Sequence, residues 1–524
     1  MEDFIWWRDG VVYQIYPRSF ADSNNDGIGD LPGILGRLDY LQSLGIDAIW
    51  LSPFYPSPDK DFGYDVSDFT AVDPRFGTLE DFAALVEGAH QRGIRVVLDL
   101  VLNHTSDQHT WFEESRRSKD SPRRDWYIWR DHPNNWQASF GGSAWEFDPP
   151  TGQYYLHSFT KEQPDLNWRN PQVRQAILDV FRFWLERGVD GFRLDVFNAY
   201  FKDAAFRDNP AKFGLRGFDR QQHLFDMDQP EMTPLLNEVR RLLDEYPERY
   251  AVGETYLATP EKIIAYCGPD KLHAAFSFDF TSSNLIFPWQ AAWVCQKILE
   301  REARFGAAQV WPTTVMGNHD LPRPASRYCR GEDDTQAFNA MALLLTLPGT
   351  PFLYYGDEIG MRDISLKRSE ILDPPGKKYW PVYKGRDGCR SPMQWDASAN
   401  AGFSAARPWL PVHPNYTRRS VLAQSQDLQS LLIFTQKLLA LRKSHPALRR
   451  GGLDFLPGTP PQVLAYLRQS ADQTLLAAFN FGSSFVTFPL PAGKWEKLLF
   501  SGQSARPGEL LPGQVYLLEK QAER

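Results

Sequence analysis

Two hydrophobic rhythms alternate along the chain. Short apolar runs bounded by turn residues predict buried strands at Val11–Tyr16, Ala48–Ser52, Arg95–Leu100, Gly191–Leu194, Tyr250–Gly253, Ala274–Asp279, Thr313–Met316 and Pro351–Tyr355. Stretches whose apolar positions recur every three to four residues predict helices at Leu31–Leu44, Leu79–Arg92, Pro171–Arg187, Pro230–Tyr246 and Gln336–Leu347. The charged piece Leu299–Phe305 reads as a solvated helix. Strand, helix, strand in this order implies parallel pairing with right-handed crossovers. Eight such strands point to an α/β fold, a (β/α)₈ TIM barrel.

The rhythm breaks in three places. Residues 103–170 are rich in Trp, Pro, Asp and Gly and show little helical period. A loop that long inside a compact domain is functional or a small subdomain. A second irregular stretch runs from Glu358 to Pro414. From Gly451 the texture becomes short strands with Gly and Pro turns: VLAYLRQ, TLLAAFNF, SFVTFPL, VYLLEK. The expected division is a barrel over residues 1–102 and 171–450, a subdomain inserted after the third strand over 103–170, and a C-terminal antiparallel, sandwich-like β domain over 451–524.

Composition changes this picture little. The 524 residues are 42% hydrophobic and 23% charged, with a net charge of −8. An acidic balance argues against nucleic acid as a partner. No run of about 18 apolar residues is present, so no membrane span is expected. The start, MEDFIWWRDG, has no targeting pattern. Cys267, Cys295, Cys329 and Cys389 are scattered, which suits a reduced, cytoplasmic setting. Aromatic residues make up 14% of the chain, with 17 Trp and 21 Tyr. Aromatic faces pack on the C–H faces of sugar rings, but a large aromatic core explains them equally well.

In a barrel of this kind, chemistry sits at the carboxyl ends of the strands. Asp99 lies in the third strand, and Asn103 and His104 follow it. Asp195 ends the fourth, Glu254 the fifth, and Asn318-His319-Asp320 follow the seventh. A lone Asp at a strand end is more often a turn or cap residue. Three carboxylates placed alike, each near Arg193, His104 or His319, suit glycoside hydrolysis. One attacks the anomeric carbon and a protonated one releases the leaving oxygen.

These segments resemble the four motifs of the α-amylase superfamily, glycoside hydrolase family 13: DLVLNH (Asp99–His104), GFRLDVFN (Gly191–Asn198), GETY (Gly253–Tyr256) and GNHD (Gly317–Asp320). A fifth, QPDLNW (Gln163–Trp168), resembles the oligo-1,6-glucosidase and α-glucosidase branch. The resemblance implies a retaining, exo-acting α-glucosidase with Asp195 as nucleophile, Glu254 as acid/base and Asp320 gripping sugar hydroxyls. It implies that Arg193 orients Asp195, that His104 and His319 bind hydroxyls, and that Asp99 and Asn103 are scaffold. In DFGYD, Asp61 and Tyr64 match the residues that hold the terminal glucose. The Arg partner of Asp61 is expected in GRDGCRSPMQW, with Arg386 preferred and Arg390 the rival. Phe147 and Gln163 are further carry-overs from the first long loop. Val196, beside the nucleophile, resembles enzymes acting on α-1,6 bonds, with α-1,4 bonds also open. The expected partner is therefore a small carbohydrate, taken by a monomer or small homo-oligomer. A transglycosylating or isomerising relative, of the trehalose synthase or sucrose isomerase kind, and a strict α-1,4-glucosidase are the rival readings.

Residues 22–30, DSNNDGIGD, alternate oxygen-bearing side chains around Gly27. Asp22, Asn24, Asp26, the Ile28 carbonyl and Asp30 follow the first part of an EF-hand loop, but Ile34 stands where its bidentate Glu would be. A structural Ca²⁺ or Mg²⁺ is expected there, and no organic cofactor.

Overall fold

A computed structural model describes residues 4–282, 285, 287–502 and 506–521. The outer limits assigned above at residues 1 and 524 lie outside the described residues.

Eight strands form one sheet: β1 (Val12–Ile15), β2 (Ala48–Leu51), β3 (Arg95–Leu100), β4 (Gly191–Leu194), β5 (Tyr250–Gly253), β6 (Ala274–Ala275), β7 (Thr313–Val315) and β8 (Thr350–Tyr354). Every ladder is parallel, and the order runs β7-β8-β1-β2-β3-β4-β5-β6. A side chain bridges β6 to β7: the Thr313 hydroxyl donates to the Ala275 carbonyl (3.2 Å) and accepts from the Ser277 amide (3.1 Å). β6 is shorter than the predicted Ala274–Asp279 because residues beyond Ala275 leave the ladder.

Alternation along the strands explains the layering. Val97 packs inside the barrel with Val12, Trp50, Val252, Phe276 and Phe352. Val96, Leu98 and Leu100 face out into the helix-packed core. The helix Leu79–Gln91 begins in a capping box, in which Thr78 and Asp81 satisfy each other's backbone amides. Asn170 caps the helix Pro171–Leu185, and Pro171 opens it. The predicted helix Leu31–Leu44 is broken into Leu31–Leu35 and Leu38–Leu44. Gly33 and Gly36 lower helix propensity there, and a Cβ at Gly33 would strike the Ala21 carbonyl. The piece expected to be solvated, Leu299–Phe305, belongs to a longer helix, Ala291–Ala308. Its Arg301 is buried and donates to Thr314 and to the Pro348 carbonyl.

Within residues 103–170 a three-stranded antiparallel sheet pairs Trp145–Asp148 and Trp129–Arg130 with Gln153–Leu156. After residue 451 a five-stranded antiparallel sheet is joined by a two-stranded one. Its central strands, Val463–Gln469, Thr474–Asn480 and Val515–Lys520, are apolar on both faces. Leu464, Tyr466, Ala477 and Leu517 join the barrel's outer core, while Val463, Ala465, Leu476 and Leu518 face the small sheet. The four cysteines are free thiols. Among the described residues, no helix is long and apolar enough to cross a membrane.

Candidate active site

The carboxyl ends of β3, β4, β5 and β7 meet at one cavity of about 500 Å³. Strand register brings the acids together. Asp99 and Arg193 are paired in adjacent strands. The Asp195 amide donates to the Leu100 carbonyl, and the Glu254 amide donates to the Leu194 carbonyl. Each acid therefore leaves its strand one step beyond the neighbouring one.

Arg193 is the hub of this cluster. Its guanidinium donates to Asp99 Oδ1 (2.6 Å), to Asp195 Oδ1 (2.6 Å) and to Glu254 Oε2. It is buried above Trp50, whose ring lies 5.2 Å below the guanidinium carbon. Burial dominates the protonation of the acids around it. Asp195 and Glu254 are both raised to about 7 by burial, with Arg193 pulling the other way. Asp99 is raised to about 6 for the same reason. Three carboxyls facing one cation in a buried site favour retention of a proton among them.

A second hub closes the far end. Arg386 donates to Asp61 Oδ1 (2.6 Å), to Asp320 Oδ1 (3.2 Å) and through Nε to Asp373 Oδ1 (2.8 Å). Gln163 also donates to Asp61 (3.3 Å). Arg390 has a different task from the one its rivalry with Arg386 suggested. It braces Asp320 (2.9 Å) and the His319 carbonyl (2.8 Å). Burial works against charge on Asp320, but His319, Arg386, Arg390 and Arg193 hold its carboxyl well below the usual range. Asp320 is thus the settled anion of the site.

The two site histidines, His319 and His104, are held toward their neutral forms. Burial pushes His319 down to about 3, and His104 is lowered for the same reason. The Gln14 amide nitrogen donates to His319 Nδ1 (2.8 Å), which leaves Nε2–H to serve as a donor. His319 stacks on Tyr64 at 5.2 Å and 3°. The Tyr64 hydroxyl donates to Asp99 Oδ2 (3.0 Å). His104 donates from Nε2 to the Tyr64 carbonyl (2.9 Å) and accepts from Asn103. Asn103 in turn donates to Asp165, which is ion-paired with buried Lys202.

The cavity is thus lined by Asp61, Tyr64, His104, Gln163, Asp195, Val196, Glu254, His319, Asp320 and Arg386. Phe147 is not among them. It lies on the strand Trp145–Asp148, packs on Tyr154 and is 48% exposed. Phe159 occupies the cavity wall instead, 5.3 Å from His104. Phe159 lies in the irregular segment after the strand Gln153–Leu156, and the path of that segment brings its ring to the cavity. Asp373 was missed: in sequence it is only the cap before Pro374-Pro375.

The loop 22–30 curls through a ladder of side-chain-to-amide bonds. Asn24 N donates to Asp22 (3.1 Å), Asp26 N to Asn24 (2.9 Å) and Ile28 N to Asp26 (2.8 Å). Asp30 is occupied differently, capping Gly33 (2.6 Å) and holding Ser23. Among the described residues no three His, Cys, Asp or Glu side chains gather as a metal cluster. The alternating donors Asp22, Asn24 and Asp26 and the Ile28 carbonyl are all oxygen, the set suited to a hard cation.

Comparison with known proteins agrees with this geometry. A family model described as alpha amylase, catalytic domain, matches residues 14–451. A probable alpha-glucosidase of Rhizobium meliloti (strain 1021) is 44% identical over 94% of this chain and 92% of its own length. An oligo-1,6-glucosidase of Parageobacillus thermoglucosidasius is 40% identical over 97% of this chain and 96% of its own. The crystal structure of the alpha-glucosyl transfer enzyme XgtA superposes with a TM-score of 0.91 at 42% identity, covering 99% of this chain and 100% of that one. A trehalulose synthase from Pseudomonas mesoacidophila MX-45 does so with 0.90 at 36% identity, over 99% and 100%.

Crowded acids cost stability when all are charged. A carboxyl raised to about 7 in the fold and near 4 in the unfolded chain binds more protons folded than unfolded. Its stability contribution therefore falls as pH rises through that window. Asp195→Asn is expected to raise the thermal midpoint at pH 8, with the gain shrinking toward pH 4. Thermal melts of both proteins across this range check it, and an equal midpoint at pH 8 would contradict it.

Proposed function

The chain belongs to the α-amylase family of glycoside hydrolases, family 13, and on that premise we propose that it is a retaining, exo-acting α-glucosidase of short α-glucosides. The observation that carries this reading is the closed inner end, Asp61–Arg386–Asp320. An ion-paired wall there leaves room for one terminal sugar and no chain beyond it. The alpha-glucosidase and oligo-1,6-glucosidase relatives support the same activity.

Asp195 and Glu254 both bond to one guanidinium, which keeps them side by side. Retaining pairs stand about 5 Å apart, whereas inverting pairs stand about 6.5–9.5 Å apart to admit a water. Asp195 as anion attacks C1 of the glucose. Glu254 gives its proton to the glycosidic oxygen, and the bond to the leaving group breaks. The product is a glucosyl ester on Asp195. Glu254, now ionised, takes a proton from water, whose oxygen attacks C1 and frees Asp195. Two inversions give net retention. Asp320, His319 and Tyr64 grip and face the ring.

The expected result is release of α-glucose, read by proton NMR before mutarotation, from an aryl α-glucoside. Rates fall on both sides of neutrality, as Asp195 gains a proton below and Glu254 loses one above. Asp195→Asn loses at least about 10³-fold in kcat, the scale of a lost nucleophile. First-formed β-glucose, or near-normal turnover by Asp195→Asn, overturns the assignment.

A second reading rests on the same intermediate. A sugar hydroxyl in place of water gives transfer or isomerisation, and the likeness to XgtA and to a trehalulose synthase favours keeping it. Transfer products that dominate from the first turnover would decide for it.

Linkage choice is assigned to Val196, favouring α-1,6 bonds with α-1,4 bonds also cleaved. Val196 lines the cavity with φ 34 and ψ 40, a left-handed backbone that β-branched residues seldom adopt. Val196→Thr is expected to shift the ratio of isomaltose to maltose hydrolysis toward maltose by several-fold. An unchanged ratio places linkage choice elsewhere.

We also infer a structural Ca²⁺ or Mg²⁺ in the loop 22–30, held by Asp22, Asn24, Asp26 and the Ile28 carbonyl, with Asp30 at its edge. The support is the alternating ladder of oxygen donors. Bound at about 100 times its Kd, such an ion adds about 2.7 kcal/mol to stability. Chelation should therefore lower the thermal midpoint, and Asp26→Ala should abolish that response. Absence of a chelation effect, with no Ca²⁺ or Mg²⁺ binding by titration calorimetry, removes the ion.

A further inference from the structure

Arg386 forms the inner wall of the cavity, but the acid that holds it at the most points is not part of that wall. Asp61 and Asp320 line the cavity, and Asp373 does not. Asp373 lies behind the guanidinium, wholly buried. Its Oδ1 accepts from Arg386 Nε (2.8 Å) and lies 2.7 Å from Nη2. Its Oδ2 accepts from the Arg386 amide (3.1 Å) and the Gly376 amide (3.3 Å). One carboxylate thus holds both the backbone and the side chain of Arg386. Burial works against its charge, but Arg386 and Arg390 hold it below the usual carboxylate range.

A guanidinium is a flat fork whose N–H directions are fixed. Once Nε and one N–H of Nη2 are committed to Asp373, the rest of the fork points one way. Nη2 then reaches Asp61 (2.6 Å) and Nη1 reaches Asp320 (3.2 Å). Phe140 flanks the guanidinium carbon at 5.1 Å. Without Asp373 the fork is free to turn a two-nitrogen edge onto Asp61 or onto Asp320, the pairing that arginine favours with a carboxylate. Either turn changes the wall that a sugar meets.

Asp373 is itself locked in place. Asp387 Oδ2 accepts from the amides of Leu372 (2.7 Å) and Asp373 (3.0 Å). Gly376 and Gly385 pack backbone on backbone, and a Cβ at Gly376 would come within 2.8 Å of Gly385 Cα. Gly385 has φ +83, and a Cβ there would meet Asp373 Oδ2 at 2.6 Å. Residues 373–387 therefore form a loop whose two ends are tied together at Asp373, with Arg386 at the knot.

We propose that Asp373 is a positioning residue that acts through Arg386 and sets how strictly the site demands a free terminal glucose. The inference rests on the glucosidase reading and deepens it. C4 lies across a pyranose ring from C1. With C1 at Asp195 and Glu254, the C4 hydroxyl of a terminal glucose meets Asp61, Asp320 and Arg386. Asp373 never touches the sugar. It fixes the angle at which the cation presents its remaining N–H groups, and it keeps Asp61 and Asp320 apart on separate nitrogens.

The test compares an aryl α-glucoside with its 4-deoxy counterpart. The natural protein is expected to prefer the intact substrate by about 10- to 150-fold in kcat/KM, the worth of a hydrogen bond to a charged group. Asp373→Asn is the informative variant, because an amide has one acceptor oxygen and one donor nitrogen. With its oxygen kept on the Gly376 and Arg386 amides, the cap survives and an NH₂ group faces the guanidinium. The preference should then fall by about tenfold. The intrinsic reactivities of the two substrates cancel when the ratio is compared between proteins. Asp373→Ser, also a helix cap but too short to reach the guanidinium, should do the same even if Asn disturbs folding. In an Arg386→Gln background, Asp373→Asn should leave the ratio unmoved. An equal fall for both substrates in both single variants, or a ratio that moves again in the Arg386→Gln background, overturns the proposal. A natural protein indifferent to the C4 hydroxyl also overturns it and leaves the glucosidase reading standing. No turnover of the intact glucoside overturns both.

Discussion

Six carboxyl groups, those of Asp61, Asp99, Asp195, Glu254, Asp320 and Asp373, converge on three guanidinium groups around one cavity. Charge compensation on that scale governs the rest of the structure. Removing a cation from this cluster strands its buried acids, at about 3–5 kcal/mol, whereas removing one of three acids from Arg193 strands nothing. The two arginine hubs are not equivalent. Arg386 and Arg390 converge on Asp320 and keep it ionised. Arg193 is shared among three acids, one cation against three carboxyls, and burial raises all three. The contrast between a lowered Asp320 and raised Asp195 and Glu254 follows from how many cations face each acid.

The barrel supplies the rigidity this balance needs. Arg193 cannot move down, because Trp50 and the inner layer of Phe276 and Phe352 fill the space beneath it. It cannot move sideways, because strand register sets Asp99 beside it and Glu254 one strand further on. The two site histidines are fixed by comparable means. Tyr64 stacks on one and receives a hydrogen bond from the other, so both rings are oriented by a single residue of the loop after β2.

Much of this could be read from the amino-acid sequence, for a physical reason. Asp195, Glu254 and Asp320 follow short apolar strands, and strand ends in a parallel barrel share one face. Helix interiors were equally readable, as the near agreement at Leu79–Gln91 and Pro171–Leu185 shows. What escaped depended on irregular backbone. Arg386 and Arg390 lie four residues apart across a tight turn, and only its winding decides which meets Asp61 and which meets Asp320. Phe147 was misplaced because it lies on a short edge strand and turns toward Tyr154 and the solvent, away from the cavity. Asp373 looked like an ordinary cap. The break in Leu31–Leu44 was signalled by two glycines, and the apolar period masked it.

The sheet beyond residue 451 has a consequence for how the molecule comes apart. Leu464, Tyr466, Leu475, Ala477, Phe479, Val515 and Leu517 are continuous with the apolar layer outside the barrel. Arg468 and Tyr466 reach the end of the helix Thr335–Thr346, where the Tyr466 and Thr346 hydroxyls bond at 2.6 Å. Such a seam is a shared interior rather than a contact between finished surfaces. Stripping the sheet away would leave the barrel with a greasy, hydrogen-bond-poor flank, so the two parts are built to melt in a single step and not as separable modules.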